Sequence, residues 1–284
     1  MLLWASQERG SDNMNALVNR NLKLFFKDKA NVFFSMLSVL IIIALFALFL
    51  GQSGSWDPAV RDSWLMAGVL AVAGLTTSMA ALSPIVEDKA AKITKGFYAS
   101  PIKRSHITAS YILSAFLVGV LMTILTAIGF AIFFAVQEVE IFTVANAFKL
   151  LGLIFLACLN STALGCFIVS LLKTTNANNT IQTIISTLSG FLMGIYMPIG
   201  NFSGILAYLM MAFPPSQSAM LFRQVLMEKP LIAIEDAYVW REALGERFSF
   251  ATFEVAPWMS IAYLVATTIF FFVLSVFNMR KSRN

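Results

Sequence analysis

Apolar residues run in long blocks along this chain, and the polar positions between them fall in short, separate clusters. Six blocks stand out: 32–50, 64–83, 107–136, 148–172, 180–197 and 257–278. A helix of about 20 apolar residues crosses the ~30 Å hydrocarbon core of a bilayer. No Asp, Glu, Lys or Arg lies well inside any of them, and Lys149 sits at the edge of its block. A charge at mid-depth costs roughly 2.5–3.5 kcal/mol, so this avoidance is what lipid-facing or tightly packed spans require. A further apolar stretch, "NFSGILAYLMMAF" at 201–213, has only 13 residues. It is too short to cross comfortably, so the pattern predicts a re-entrant helix. That helix is entered through Pro198–Gly200, closed by Pro214–Pro215 and buried against the other spans. Ser216 then caps a short helix over 217–228, with Leu221 and Val225 on one side. The polar, mixed-charge stretch 229–256 caps the last two spans from outside. The predicted fold is all-α. It is a polytopic membrane protein of six transmembrane helices, with a re-entrant outer segment between spans five and six.

Ahead of the first block, "NALVNRNLKLFFKDKAN" at 15–31 places Val18, Leu22 and Phe25 on one face. Arg20, Lys23 and Lys27 fall on the opposite side. This predicts an amphipathic elbow helix lying in the interface, basic side chains toward the headgroups. Residues 1–14 form a tail, and 1–13 lack the apolar core of a cleavable signal. Between the second and third blocks lies "VEDKAAKITKGFYASPIKRS", 86–105, with seven charged residues. Ser83–Pro84 reads as a helix restart. "IVEDKAAKITKG" reads as one short helix, with Asp88 paired to Lys92 at i,i+4 and Gly96 closing it in the left-handed conformation.

Composition sharpens this picture. The 284 residues are 58% hydrophobic and 12% charged, beyond what a soluble domain of this length needs. With the N-terminus inside, segments 1–31, 84–106, 173–179 and 279–284 carry 14 basic and 5 acidic residues. The other side carries 6 basic and 10 acidic. The positive-inside rule therefore places both termini in the cytoplasm. The absences matter as much. There is no GxxxxGK[ST] phosphate loop. The lone histidine, His106, sits at a membrane border with no carboxylate inside the spans to make a triad. No residues have metal-ligand spacing. Cys158 and Cys166 lie on one span, too far apart to bridge within it. No ionisable group lies inside the spans to drive proton coupling, although a sodium site of carbonyls and hydroxyls stays open. A sodium-coupled secondary transporter is thus the alternative to a chain driven by a partner. The sequence predicts no enzyme, no metal, no cofactor bound by this chain and no nucleic-acid partner.

Small residues recur on three spans, where they let helix backbones approach. They are Ala67, Ala71, Gly74 and Ser78; then Ala157, Ser161 and Gly165, with Asn160 beside them; then Ser186, Gly190 and Gly194. The fifth block is also the most polar, with Thr180, Gln182, Thr183, Thr187 and Ser189. These stripes serve either packing within one chain or a path or subunit interface.

The order of parts resembles the permease of ABC-2 type exporters. The elbow "NRNLKLFFKDKANVFF", the segment "EDKAAKITKGFYASPIKRSHI", the six spans and the outer "MPIGNF…FPPSQSAMLFRQ" region carry the likeness, from about 15 to 280. The resemblance implies a coupling helix within 84–105 seated on a separate ABC ATPase, through Glu87, Asp88, Lys89, Lys92, Lys95, Phe97 and Tyr98. The turn 173–179 would be a minor second contact. It implies two ATPase copies, which carry the ATP and Mg, and a second permease copy or paralogue. Spans two and five would line the path or dimer interface, through Ala67, Ala71, Gly74, Ser78, Gln182, Ser186, Gly190 and Gly194. Pro198, Pro214 and Pro215 would belong to an outer gate. It also implies a bacterial plasma membrane and outward movement of a drug, antimicrobial peptide or lipid-like molecule.

Overall fold

The computed structural model describes residues 2–29, 32–33, 57–99, 102–136, 144–232, 237–250 and 253–281. The described chain is helical apart from one two-residue strand pair. In order it runs α1 (Leu2–Lys27), α2 (Pro58–Ala80), α3 (Ser83–Ala90), α4 (Ile93–Ala99), α5 (Arg104–Val136), α6 (Val144–Leu171) and α7 (Thr175–Leu192). A 3₁₀ turn at Ile199–Asn201 follows. Then come α8 (Ile205–Ala212), α9 (Pro214–Leu226), α10 (Glu228–Ile232), α11 (Ala237–Ala243), β1 (Ser249–Phe250), β2 (Phe253–Glu254) and α12 (Pro257–Lys281). The predicted first span, 32–50, lies outside the described residues except for 32–33.

Among the described residues, four stretches are long and apolar enough to cross a membrane: Pro58–Ala90, Ser105–Val136, Asn146–Leu171 and Pro257–Asn278. The pair α8 and α9, bent by 81°, makes a fifth if it is one span. The fifth predicted block forms α7, but its Thr and Asn residues keep it outside this group. Its 18 residues reach only about 27 Å.

Helix α2 is the axis of the bundle. Asp57 caps it, its Oδ1 accepting from the backbone N–H of Ala59 (2.8 Å) and Val60 (3.4 Å), and Pro58 fills the first turn. Apolar all round, it is buried along most of its length among α5, α6, α7 and α9. The small residues set the spacing: a Cβ on Gly119 of α5 would fall 2.1 Å from Ser78 Oγ of α2. Asn160 locks α6 to α12. Its Nδ2 donates to Leu264 O (3.1 Å), Thr267 Oγ1 (2.9 Å) and Thr268 Oγ1 (3.1 Å). The outer faces of α5 and α12 expose Leu113, Leu117, Leu121, Leu125, Ile261, Val265, Ile269 and Val273, as lipid-facing helices do.

Four local expectations change. The helix expected from residue 15 extends back to Leu2. The re-entrant helix expected to be buried at 201–213 is α8, and it is largely exposed; the buried element is α9, which packs among α2, α6 and α12. The bend comes from Pro214–Pro215, which start α9 rather than closing the stretch, because proline suits a helix's first turn. Ser216 does not cap; its hydroxyl donates to Leu192 O at 2.8 Å and ties α9 to the end of α7.

Candidate functional site

The charged island forms two short helices rather than one. Lys92, at φ 60°, breaks the chain between α3 and α4. Gly96 therefore sits inside α4, and the expected Asp88–Lys92 pair is absent. Asp88 turns inward instead: it is 4% exposed. Both its oxygens accept from Arg20 of α1, Nη1 to Oδ2 and Nη2 to Oδ1, each 2.9 Å. The hydroxyl of Tyr111 on α5 donates to the same carboxylate. The Arg20 guanidinium also stacks over Phe97 of α4, 5.3 Å from the ring centre. Hydrogen bonds to Asp88 raise the Arg20 pKa above its ordinary range, against burial that lowers it. Arg20, placed with the headgroup-facing lysines by the helical wheel, thus faces protein.

The other end of α3 is gripped as well. Ser83 Oγ accepts from Asn178 Nδ2 (3.1 Å) and Gln182 Nε2 (2.8 Å) of α7, and Gln182 also donates to Met79 O at 3.3 Å. Ser83 makes no cap bond, its oxygen being turned toward α7. α3 is therefore fixed to α1, α5 and α7 on its inner side, while Glu87, Lys89, Lys92 and Lys95 stay exposed. Of the seven residues expected at this contact, four face outward. Asp88 is internal, Phe97 is half-buried beneath Arg20, and Tyr98 lies in the last turn of α4.

The small-residue positions divide the same way. Ala67, Ala71, Gly74 and Ser78 are inside the chain, packed toward α5 and α6; Gly74 faces Cys158 and Thr123. On α7, Gln182 is spent on α3. Gly190 lies under Tyr196, where a Cβ would fall 2.3 Å from the ring. Gly194, at φ 67°, is past the helix end, so "SGFLMG" is a helix terminus and not a helix–helix seam. Ser186 is exposed together with Thr180, Thr183 and Thr187, giving α7 an uncovered polar face.

The C-terminal end of α7 meets a buried polar knot that the sequence pattern did not single out. Arg223 of α9 is 0% exposed. Its Nη2 donates to Met193 O (2.6 Å) and Gly194 O (3.1 Å), and Nη1 reaches Gly245 O at 3.5 Å. Trp64 of α2 lies 5.8 Å from this guanidinium and donates its Nε1–H to Leu244 O at 3.1 Å. Pro198 lies just before the 3₁₀ turn, and Pro214–Pro215 start α9 more than two turns ahead of Arg223. The signal for the knot was a single Arg in the otherwise largely apolar "AMLFRQVL", 219–226, within the short helix expected over 217–228.

Residues 61–277 match the model of a family described as ABC-2 family transporter protein. No curated protein matches the chain. That match covers most of the 284 residues. The chain belongs to the ABC-2 family of transporter proteins, as a multi-pass, non-catalytic permease subunit of the kind that works with an ABC ATPase.

Proposed function

We propose that this permease serves an ATP-driven exporter that carries an amphipathic compound outward: a drug, an antimicrobial peptide or a lipid-like molecule. The observation that carries the reading is the two-sided character of α3–α4. The inner side is bonded to three other helices through Asp88 and Ser83, and the outer side offers Glu87, Lys89, Lys92 and Lys95. A rigid charged handle of this form suits a groove on an ATPase, and force applied to it reaches α1, α5 and α7 without passing through a flexible loop. ATP and Mg sit on that partner.

The working unit in this reading is two permease chains and two ATPases. Six spans, counting 32–50 and α7, keep both termini cytoplasmic, as the charge asymmetry requires. The exposed polar face of α7, Thr180, Thr183, Ser186 and Thr187, lines the path or meets a second permease. The α2 stripe supports that helix from behind. The outer gate is the region of Pro198, Pro214 and Pro215. The test substitutes the exposed charges of α3–α4 in the full chain co-expressed with its ATPase. Glu87→Arg weakens co-purification at least tenfold and leaves the permease's thermal midpoint unchanged. Undiminished co-purification of Glu87→Arg combined with Lys92→Glu and Lys95→Glu refutes the assignment.

A further inference from the structure

We infer that Arg223 is the positioning residue of the outer gate, a buried pin that holds the unwound end of α7 against the exterior cap. The inference rests on the exporter reading for the word gate, and on the geometry alone for the pin.

A fully buried guanidinium needs compensation, and among the described residues it forms no ion pair with a carboxylate. The compensation comes from backbone. Met193 is the C-terminal cap of α7, and the last carbonyls of a helix carry partial negative charge with no partner of their own. Arg223 takes the Met193 carbonyl and, just past the helix end, that of Gly194. α7 ends here because Gly194 turns left-handed at φ 67°, which delivers both oxygens to one nitrogen. On its other side the guanidinium reaches the carbonyl of Gly245, also left-handed at φ 71°, where a Cβ would fall 3.1 Å from Nη1. Trp64 holds the adjacent Leu244 carbonyl. One side chain thus joins the end of α7, the turn after α11 and the axis helix α2. These three have no covalent reason to stay together.

The arrangement is separable. The bonds to Met193, Gly194 and Gly245 all end on main-chain oxygens at a helix end and a turn, so losing them frees the end of α7 without opening the α2–α5–α6 core. Lysine, with one nitrogen and no planar fork, holds fewer of these carbonyls. Glutamine leaves them without a cation.

The test uses the full-length permease in membranes made permeable to a maleimide, with Ile195→Cys as reporter. Ile195 is 1% exposed beside the pin, and native Cys158 (0%) and Cys166 (3%), buried in the core, report on folding. With Arg223 present, position 195 is protected. Arg223→Gln raises its labelling rate at least tenfold and Arg223→Lys about threefold, while Cys158 and Cys166 stay protected. Unchanged labelling at 195 in both variants overturns the inference. If Arg223→Gln exposes Cys158 as well, that variant has unfolded and Arg223→Lys decides: a rise at 195 alone supports the pin, and no rise refutes it. Loss of ATPase co-purification for the Glu87 variants, or its absence, bears on the exporter reading and leaves this outcome unaffected.

Discussion

Replacing Asp88 by Asn separates anchoring from docking in the charged island. Asp88 accepts two bonds from Arg20 and one from Tyr111. Asn keeps one acceptor, which Tyr111 can use, and turns an amide donor toward the guanidinium. About two charge-assisted contacts are lost, worth about 1.5–3 kcal/mol each when buried. Arg20 keeps 30% of its side chain exposed and rehydrates, so the lower part of that range applies. The expected cost is about 2–4 kcal/mol. In a protein of this size that lowers a thermal midpoint by roughly 5–15 °C. The assay is the temperature at which Cys158 becomes reactive in the detergent-solubilised permease. A double-mutant cycle with Arg20→Gln isolates the pair and gives a coupling of about 1–3 kcal/mol. Glu87→Gln, at the adjacent exposed residue, shifts the midpoint by less than about 0.5 kcal/mol equivalent. A midpoint for Asp88→Asn within about 2 °C of the parent, or a coupling under about 0.5 kcal/mol, refutes the claim that α1 holds α3 through this carboxylate.

Other substitutions probe the packing. Gly119→Ala brings a methyl 2.1 Å from Ser78 Oγ and costs about 1–3 kcal/mol, and adding Ser78→Ala restores most of it in the same melt. Asn160→Leu breaks the bonds from α6 to α12 and lowers the midpoint by about 1–3 kcal/mol equivalent, leaving Thr268 its own bond to Leu264 O. Glu246, buried with Oε1 accepting from Arg241 at 2.6 Å, has its carboxyl pKa raised by burial, against the pull of Arg241. A raised folded-state pKa means the fold binds this proton more tightly than the unfolded chain does. Its contribution to stability is therefore greatest below the ordinary carboxylate range and is lost as pH rises through the raised value. Melts between pH 4 and pH 8 show that loss in the parent and a flatter profile in Glu246→Gln; identical profiles contradict it (pH window set by the carboxylate range).

Much of the bundle was legible because bilayer depth sets helix length and charge avoidance marks it. Blocks 64–83, 107–136, 148–172 and 257–278 each became a long helix on that ground alone. Side-chain partners were less legible, because they depend on which helices meet. A wheel of residues 15–31 places Arg20 with the lysines, yet only the approach of α1 to α5 gives it Asp88 and Tyr111. The i,i+4 rule pairs Asp88 with Lys92, but that local bond is weaker than a bidentate, half-buried one and gave way. Gly190 and Gly194 carry the spacing of a helix seam, while Gly194 is used for its left-handed φ at a helix end. Arg223 was hidden for the same reason: carbonyl partners leave no mark in a sequence.

The most direct test of the account places a photo-crosslinker in turn at positions 87, 92 and 95, and at exposed Phe277 on α12 as a control, in cells that also express the ATPase. Adducts with the ATPase from the three positions on the handle, and none from 277, are the predicted result. An absence of ATPase adducts at all three, or labelling of these positions by a reagent confined to the cell exterior, contradicts a cytoplasmic lever on α3–α4.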